Sequence, residues 1–162
     1  MKRTRGILDR KRTQPTAEEE IFQSICKDVS ENLDADITSI WFFDKTLSQI
    51  ECQCCLDSIN DSYSSGEILK KATFPSYFNS IIEYNFISAP NARTSQFTKE
   101  LAEPYFEPKG ILSLLDFTIH KDFEPVGIVC CENRRNIRYW SEDDKDYLRS
   151  IAALSSLHFR FS

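Results

Sequence analysis

GILSLLDFTI (residues 110–119) and PVGIVCCEN (residues 125–133) decide the fold of this 162-residue chain. Both runs are dense in β-branched, aromatic and long aliphatic residues, and a mostly polar stretch at 120–124 separates them. That pattern predicts two strands joined by a short turn. In the first strand Leu112, Leu114, Asp116 and Thr118 share one face, and Ile111, Ser113, Leu115 and Phe117 the other. Asp116 is the odd residue there, because a carboxylate on a half-apolar face costs free energy unless something hydrogen-bonds to it.

Downstream, Ser141 can cap a last helix, with Asp143 and Asp144 in its first turn. Tyr147, Leu148, Ile151, Leu154, Ser155 and His158 form its expected buried stripe. Glu132 and Arg138 bracket the polar loop before that helix, so an ion pair between them is the expected clasp.

Upstream, Thr16 and Glu19 have the spacing of a capping box, and Ile21, Phe22, Ile25, Val29 and Leu33 recur at helical spacing. Residues 37–43 and 49–56 read as a hairpin turned by Asp44, Lys45 and Thr46. Simple alternation puts Ile50, Cys52, Cys54 and Leu56 on one face, opposite Glu51, Gln53 and Cys55. Residues 57–65 read as a polar turn, 66–69 as a short strand and 86–89 as a brief extended piece. Pro75 opens a helix carrying Tyr77, Phe78, Ile81 and Ile82, and 95–105 has helical spacing that ends before Pro108. Helix, hairpin, irregular middle, hairpin, helix is the order of an α+β domain on an antiparallel sheet.

The net charge of −5 is uneven. Six basic residues against Asp9 give the first twelve positions +5 and leave −10 on the rest. An acidic body repels phosphate backbones, so no nucleic-acid partner is expected. Residues 1–14 lack an apolar period and read as a disordered basic tail, with the domain over 15–162. No apolar run approaches the roughly 20 residues of a spanning helix, and no secretory leader pattern follows the basic start, so a cytoplasmic location is expected. The six cysteines, Cys26, Cys52, Cys54, Cys55, Cys130 and Cys131, have no His nearby and lack the doubled close pairs of a zinc site. They read as reduced core residues, and no metal or fixed cofactor is expected. Four glycines stand in no phosphate-cradling pattern.

SIWFFD (residues 39–44), the two strand runs quoted first and RYWSEDDKDYL (residues 138–148) together resemble a GAF domain. The resemblance spans roughly residues 17–159. It implies a five- or six-stranded sheet of order 2-1-5-4-3, the first and last helices on one face, and a ligand cavity on the other, roofed by the irregular middle. It also implies a non-catalytic sensory or regulatory role. Such a domain takes a small molecule, pairs with a second copy through its terminal helices, or does both, and passes the state to an output module or partner. A ligand-free interaction domain is the alternative.

The family's branches are then tested residue by residue. At the positions of the cyclic-nucleotide signature the chain reads Asn133, Arg134, Trp140, Asp144 and Lys145, and Lys145 reverses the charge of the last acid. No Cys-His pair exists for bilin attachment. Free methionine sulfoxide reductases of this family carry cysteines in the roof, where residues 57–129 hold none. In the implied sheet order Cys52 or Cys54 and Cys130 lie two strand spacings apart, about 9.6 Å, beyond the roughly 7 Å a disulfide allows. The candidate ligand-contacting residues are Trp41, Phe43, Tyr77 and Tyr105 as aromatic walls, together with Asp116 and Arg138 as polar anchors. Ser39, Ser65 and Gly66 match ligand-contacting positions of nucleotide-binding relatives.

Overall fold

A reciprocal pair of hydrogen bonds starts the first helix: the Glu19 amide donates to Thr16 Oγ1 (3.1 Å) and the Thr16 amide to Glu19 Oε1 (2.8 Å). These bonds satisfy two of the donors that every helix start leaves open. The computed structural model describes residues 14–159, so the expected basic tail lies almost wholly outside the described residues. Helix α1 (Ala17–Leu33) buries Phe22, Cys26, Val29 and Leu33 along one side.

Strands β1 (Ile37–Phe43) and β2 (Gln49–Asp57) form the first hairpin. Short strands β3 (Ser62–Ser64) and β4 (Ile68–Lys70) then pair back onto β2. Helix α2 (Pro75–Tyr84) leads into edge strand β5 (Phe86–Ala89). The long strands β6 (Ser113–Lys121) and β7 (Glu124–Asn133) follow, and a last helix over Glu142–Ser155 ends the fold. Every pairing is antiparallel, in the order β3-β2-β1-β7-β6-β5 with β4 also on β2. Renumbered without β3 and β4, this is the 2-1-5-4-3 order expected from the sequence.

Two residues make the β6–β7 turn. Lys121 pairs with Glu124, while Asp122 (φ 52°) and Phe123 (φ 67°) both take left-handed backbone, the geometry of a type I′ hairpin that follows strand twist. Gly127 allows β7 to close on β1, since a Cβ there would lie 2.5 Å from the Trp41 carbonyl oxygen.

The sheet divides the core in two. Ile40, Cys54, Leu56, Leu115, Phe117, Ile119, Val129 and Cys131 face α1 and the last helix. Ile37, Trp41, Ile50, Cys52, Leu114, Ile128 and Cys130 face α2 and the roof, residues 99–109.

Four local expectations change. Cys52 pairs with Trp41 and Cys54 with Ile40, which leaves Gln53 unpaired as a β-bulge. The bulge interrupts the alternation, so Cys52 and Cys54 face opposite sides. Residues 62–64, read as turn, pair with β2 as β3. The 95–105 segment is a 3₁₀ turn (Lys99–Leu101), a π turn (Ala102–Phe106) and one turn of α3 (Glu107–Lys109) that runs through Pro108. Pro104 lies inside the π turn and lacks the amide that a regular α-helix needs there. In the last helix, α4 (Glu142–Ser155), Leu148, Ala152 and Ser155 are buried, whereas Leu154 and the following His158 are exposed. Six residues at 100° each put Leu154 about 240° around from Leu148, off the buried side.

No helix among the described residues is long and apolar enough to cross a membrane.

Candidate functional site

Alternation along β6 and β7 brings acids to the roofed face. Asp116 sits opposite Cys130, and Glu132 lies two residues along β7, opposite Leu114. The two carboxyls are therefore diagonal neighbours on one face, at a distance that long side chains bridge. Each is 1 % exposed.

They line a small pocket whose polar wall is Tyr77, Tyr105, Asp116, Cys130 and Glu132. Its apolar wall is Trp41, Ile50, Leu69, Leu101, Phe106 and Leu114. Free volume is about 20 Å³, room for one or two waters. Trp41 and Tyr105 meet edge to face in its lining, 6.4 Å between ring centres.

Hydrogen bonding is incomplete. Tyr77 Oη donates to Asp116 Oδ2. Among the described residues Asp116 Oδ1 and both Glu132 oxygens have no hydrogen-bond partner, although the Cys130 thiol lies beside Asp116. Burial pushes the Asp116 carboxyl up to about 6, while the Cys130 thiol and the Tyr77 hydroxyl hold it back. Burial first, then the Asp116 charge, pushes Glu132 well above the carboxylate range. Burial likewise raises Tyr77, Tyr105 and the Cys130 thiol.

Four contacts hold the roof. Glu100 Oε1 accepts from the Tyr77 amide (2.8 Å) and so caps α2, which has no side-chain cap of its own. Lys109 pairs with Glu67 (3.2 Å) and sits over the Tyr105 ring, and the Lys109 carbonyl accepts from Arg134 Nε (2.8 Å).

Of the nine residues singled out from sequence, Trp41, Tyr77, Tyr105 and Asp116 line this cavity. The others lie elsewhere. Ser39 Oγ accepts from Trp41 Nε1 (2.8 Å), which fixes the indole. Phe43 packs edge-on against Phe78 at the outer end of the same core. Gly66 (φ 98°) donates its amide to the Cys52 carbonyl (2.8 Å), and Ser65 lines a shallow surface hollow beside α1.

The expected Glu132–Arg138 ion pair does not form. Arg138 pairs with Asp144 (3.2 Å), donates to the Leu33 carbonyl (2.5 Å) and stacks on Trp140, all on the helix side. The chain beyond Asn133 turns toward α4, while Glu132 points with Cys130 to the roof. Sequence reasoning thus missed Glu132 as a cavity residue. The usable signal was its even spacing from Ile128 and Cys130 in a strand that faces Asp116.

The cyclic-nucleotide signature positions are engaged in structural contacts. Asn133 Oδ1 accepts from the Asp36 amide, Arg134 pairs with Asp57, Asp144 caps α4 with Ser141, and Lys145 pairs with Glu142.

Comparison with known proteins gives the lineage of this arrangement. The GAF domain family model matches residues 17–159. No curated protein sequence matches the chain. The blue-light-absorbing form of the PixJ GAF domain from Thermosynechococcus elongatus superposes with TM-score 0.73 at 14 % identity, covering 86 % of this chain and 83 % of that one. The GAF domain/HD domain protein from Geobacter sulfurreducens gives TM-score 0.68 at 11 % identity, covering 88 % and 92 %. The GAF domain of an Acinetobacter phosphoenolpyruvate-protein phosphotransferase gives 0.68 at 13 % identity, covering 90 % and 83 %. Likenesses at such identities carry fold and not function. With the family model matched from α1 to just past α4 and the sheet order in agreement, the chain belongs to the GAF domain family.

Proposed function

We propose that this GAF domain is a non-catalytic sensory module of the cytoplasm that takes a small molecule under the roof and relays occupancy through α1 and α4. One observation carries the reading: a small pocket lined by two buried acids with three oxygens unpartnered among the described residues. Buried polar atoms are nearly always partnered, and orphans of this kind fit a group that arrives from outside. The route outward is short. Strands β1 and β7 present Trp41 and Glu132 to the cavity and, one residue along, Ile40 and Cys131 to the helices.

Pairing with a second copy through the terminal helices is part of the proposal. Leu154 (53 % exposed) and Leu157 (75 %) supply exposed apolar surface at the end of α4. The pair would hand its state to an output module or partner protein.

The cavity's size favours a second reading, a ligand-free interaction domain whose own aromatics fill the space, because about 20 Å³ admits no metabolite unless the roof lifts. Thermal-shift screening against nucleotides, amino acids and other metabolites separates the two. A midpoint that climbs with ligand concentration supports sensing, and silence across the panel supports the second reading. Light scattering at high micromolar concentration is expected to give twice the monomer mass, and a strictly monomeric mass would remove the dimer.

A further inference from the structure

Resting on the sensory reading above, we propose that the cavity's ligand presents a primary ammonium group, held between the carboxylates of Asp116 and Glu132. The polar wall sets two acids beside two tyrosine hydroxyls and a thiol. Among the described residues three of the four carboxyl oxygens have no hydrogen-bond partner, the fourth takes the Tyr77 hydroxyl, and the Cys130 thiol lies beside Asp116. No Lys, Arg or His lines the cavity.

Lys109, over the outer side of Tyr105, pairs with Glu67, and Arg134, Arg135 and Arg138 pair with Asp57, Asp36 and Asp144. An anion would thus enter a site of its own sign with no cationic donor in its lining. A neutral amide would bring no counter-charge. A protonated amine has three donors for three open oxygens and sets one positive charge between the two acids. The indole of Trp41 and the ring of Tyr105 add aromatic walls, which favour cations. An ammonium head is close to water in size and fits the free space, while the remainder of a larger amine would displace the roof at Leu101 to Phe106.

Binding has a proton signature. The groups around Glu132 are Asp116, Tyr77, Tyr105, Cys130 and Cys55, with Lys109 and Glu67 at the rim. Burial keeps Glu132 protonated well above the ordinary carboxyl range, so an incoming cation expels that proton. Affinity then rises as pH rises, by about tenfold per unit until Glu132 ionises unaided.

Methylammonium chloride is the probe, titrated at constant ionic strength against the whole chain, with acetate and N-methylacetamide as anionic and neutral counterparts. The expected result is a saturable rise in the thermal midpoint for methylammonium alone. Binding should tighten as pH rises, and be lost in Glu132→Gln and in Asp116→Asn. Should either variant fail to fold, calorimetry of the unaltered protein in buffers of different ionisation enthalpy reads the released proton directly. Stabilisation by N-methylacetamide or acetate equal to that by methylammonium, or methylammonium binding without proton release, overturns the proposal. A response to an amine-free metabolite in the wider panel, with none to methylammonium, overturns it while leaving the sensory reading intact. Silence to every compound overturns both.

Discussion

The two faces of the sheet are built from the same strands and hold opposite balances. Against the helices, the strands bury aliphatic, aromatic and cysteine side chains, and the charges at the margin are paired, Arg138 with Asp144 and Arg135 with Asp36. Against the roof, the same strands bury Asp116 and Glu132 with too few partners. The first face leaves two neutral polar atoms, Thr38 Oγ1 and Trp140 Nε1, without a partner among the described residues, but no carboxyl, and it supplies stability. The second carries a standing penalty, since burying an unpaired acid costs free energy that packing elsewhere has to offset.

Substitutions test that contrast. The largest effect is expected on the helix face: Leu148→Ala removes a fully buried side chain between α4 and the sheet and should lower unfolding free energy by about 3 kcal/mol, read by urea denaturation. An equal loss from the apolar roof residue Leu101→Ala would show that the faces are equally consolidated.

Glu132→Gln should act in the opposite direction, and only above acid pH. An acid whose folded value is raised makes the unfolded chain lose its proton first as pH rises, so stability falls from the unfolded value upward. At pH 4 the variant should match the parent, and by pH 8 it should be more stable by about 1–3 kcal/mol, seen in paired thermal melts. Asp116, about 6 in the fold against 3.8 in the open chain, contributes the same sign between those values. A parent whose stability does not fall from pH 4 to 8 would remove the penalty from the roofed face.

The smallest effect belongs to Thr16→Ala, which breaks the capping box of α1 and should cost about 1 kcal/mol with no change in cavity behaviour.

Much of this architecture is legible in the sequence, for local reasons. Capping residues and the period of apolar positions place α1 and α4, and dense β-branched runs place β6 and β7. What stayed hidden depends on geometry that no local pattern encodes. Gln53 carries no mark of a bulge, because the extra residue is accommodated by the partner strands and by Gly66 and Glu67, which bond to Cys52. The roof's π turn answers to Pro104 and to the space above the sheet together. Glu132 was legible in parity but not in partner: Arg138 is near it along the chain, yet the loop after Asn133 carries that guanidinium around the sheet edge.

That bulge at Gln53 gives β2 two reading frames. Residues 49–52 follow one face code and residues 54–57 its complement, joined at a single extra position. Deleting that position would leave both halves on their present faces, because Cys52 and Cys54 would then be consecutive residues opposite Trp41 and Ile40; keeping it without a bulge would turn one half over. Related chains are therefore best aligned with a gap allowed at 53, since an ungapped alignment would set residues of opposite meaning side by side.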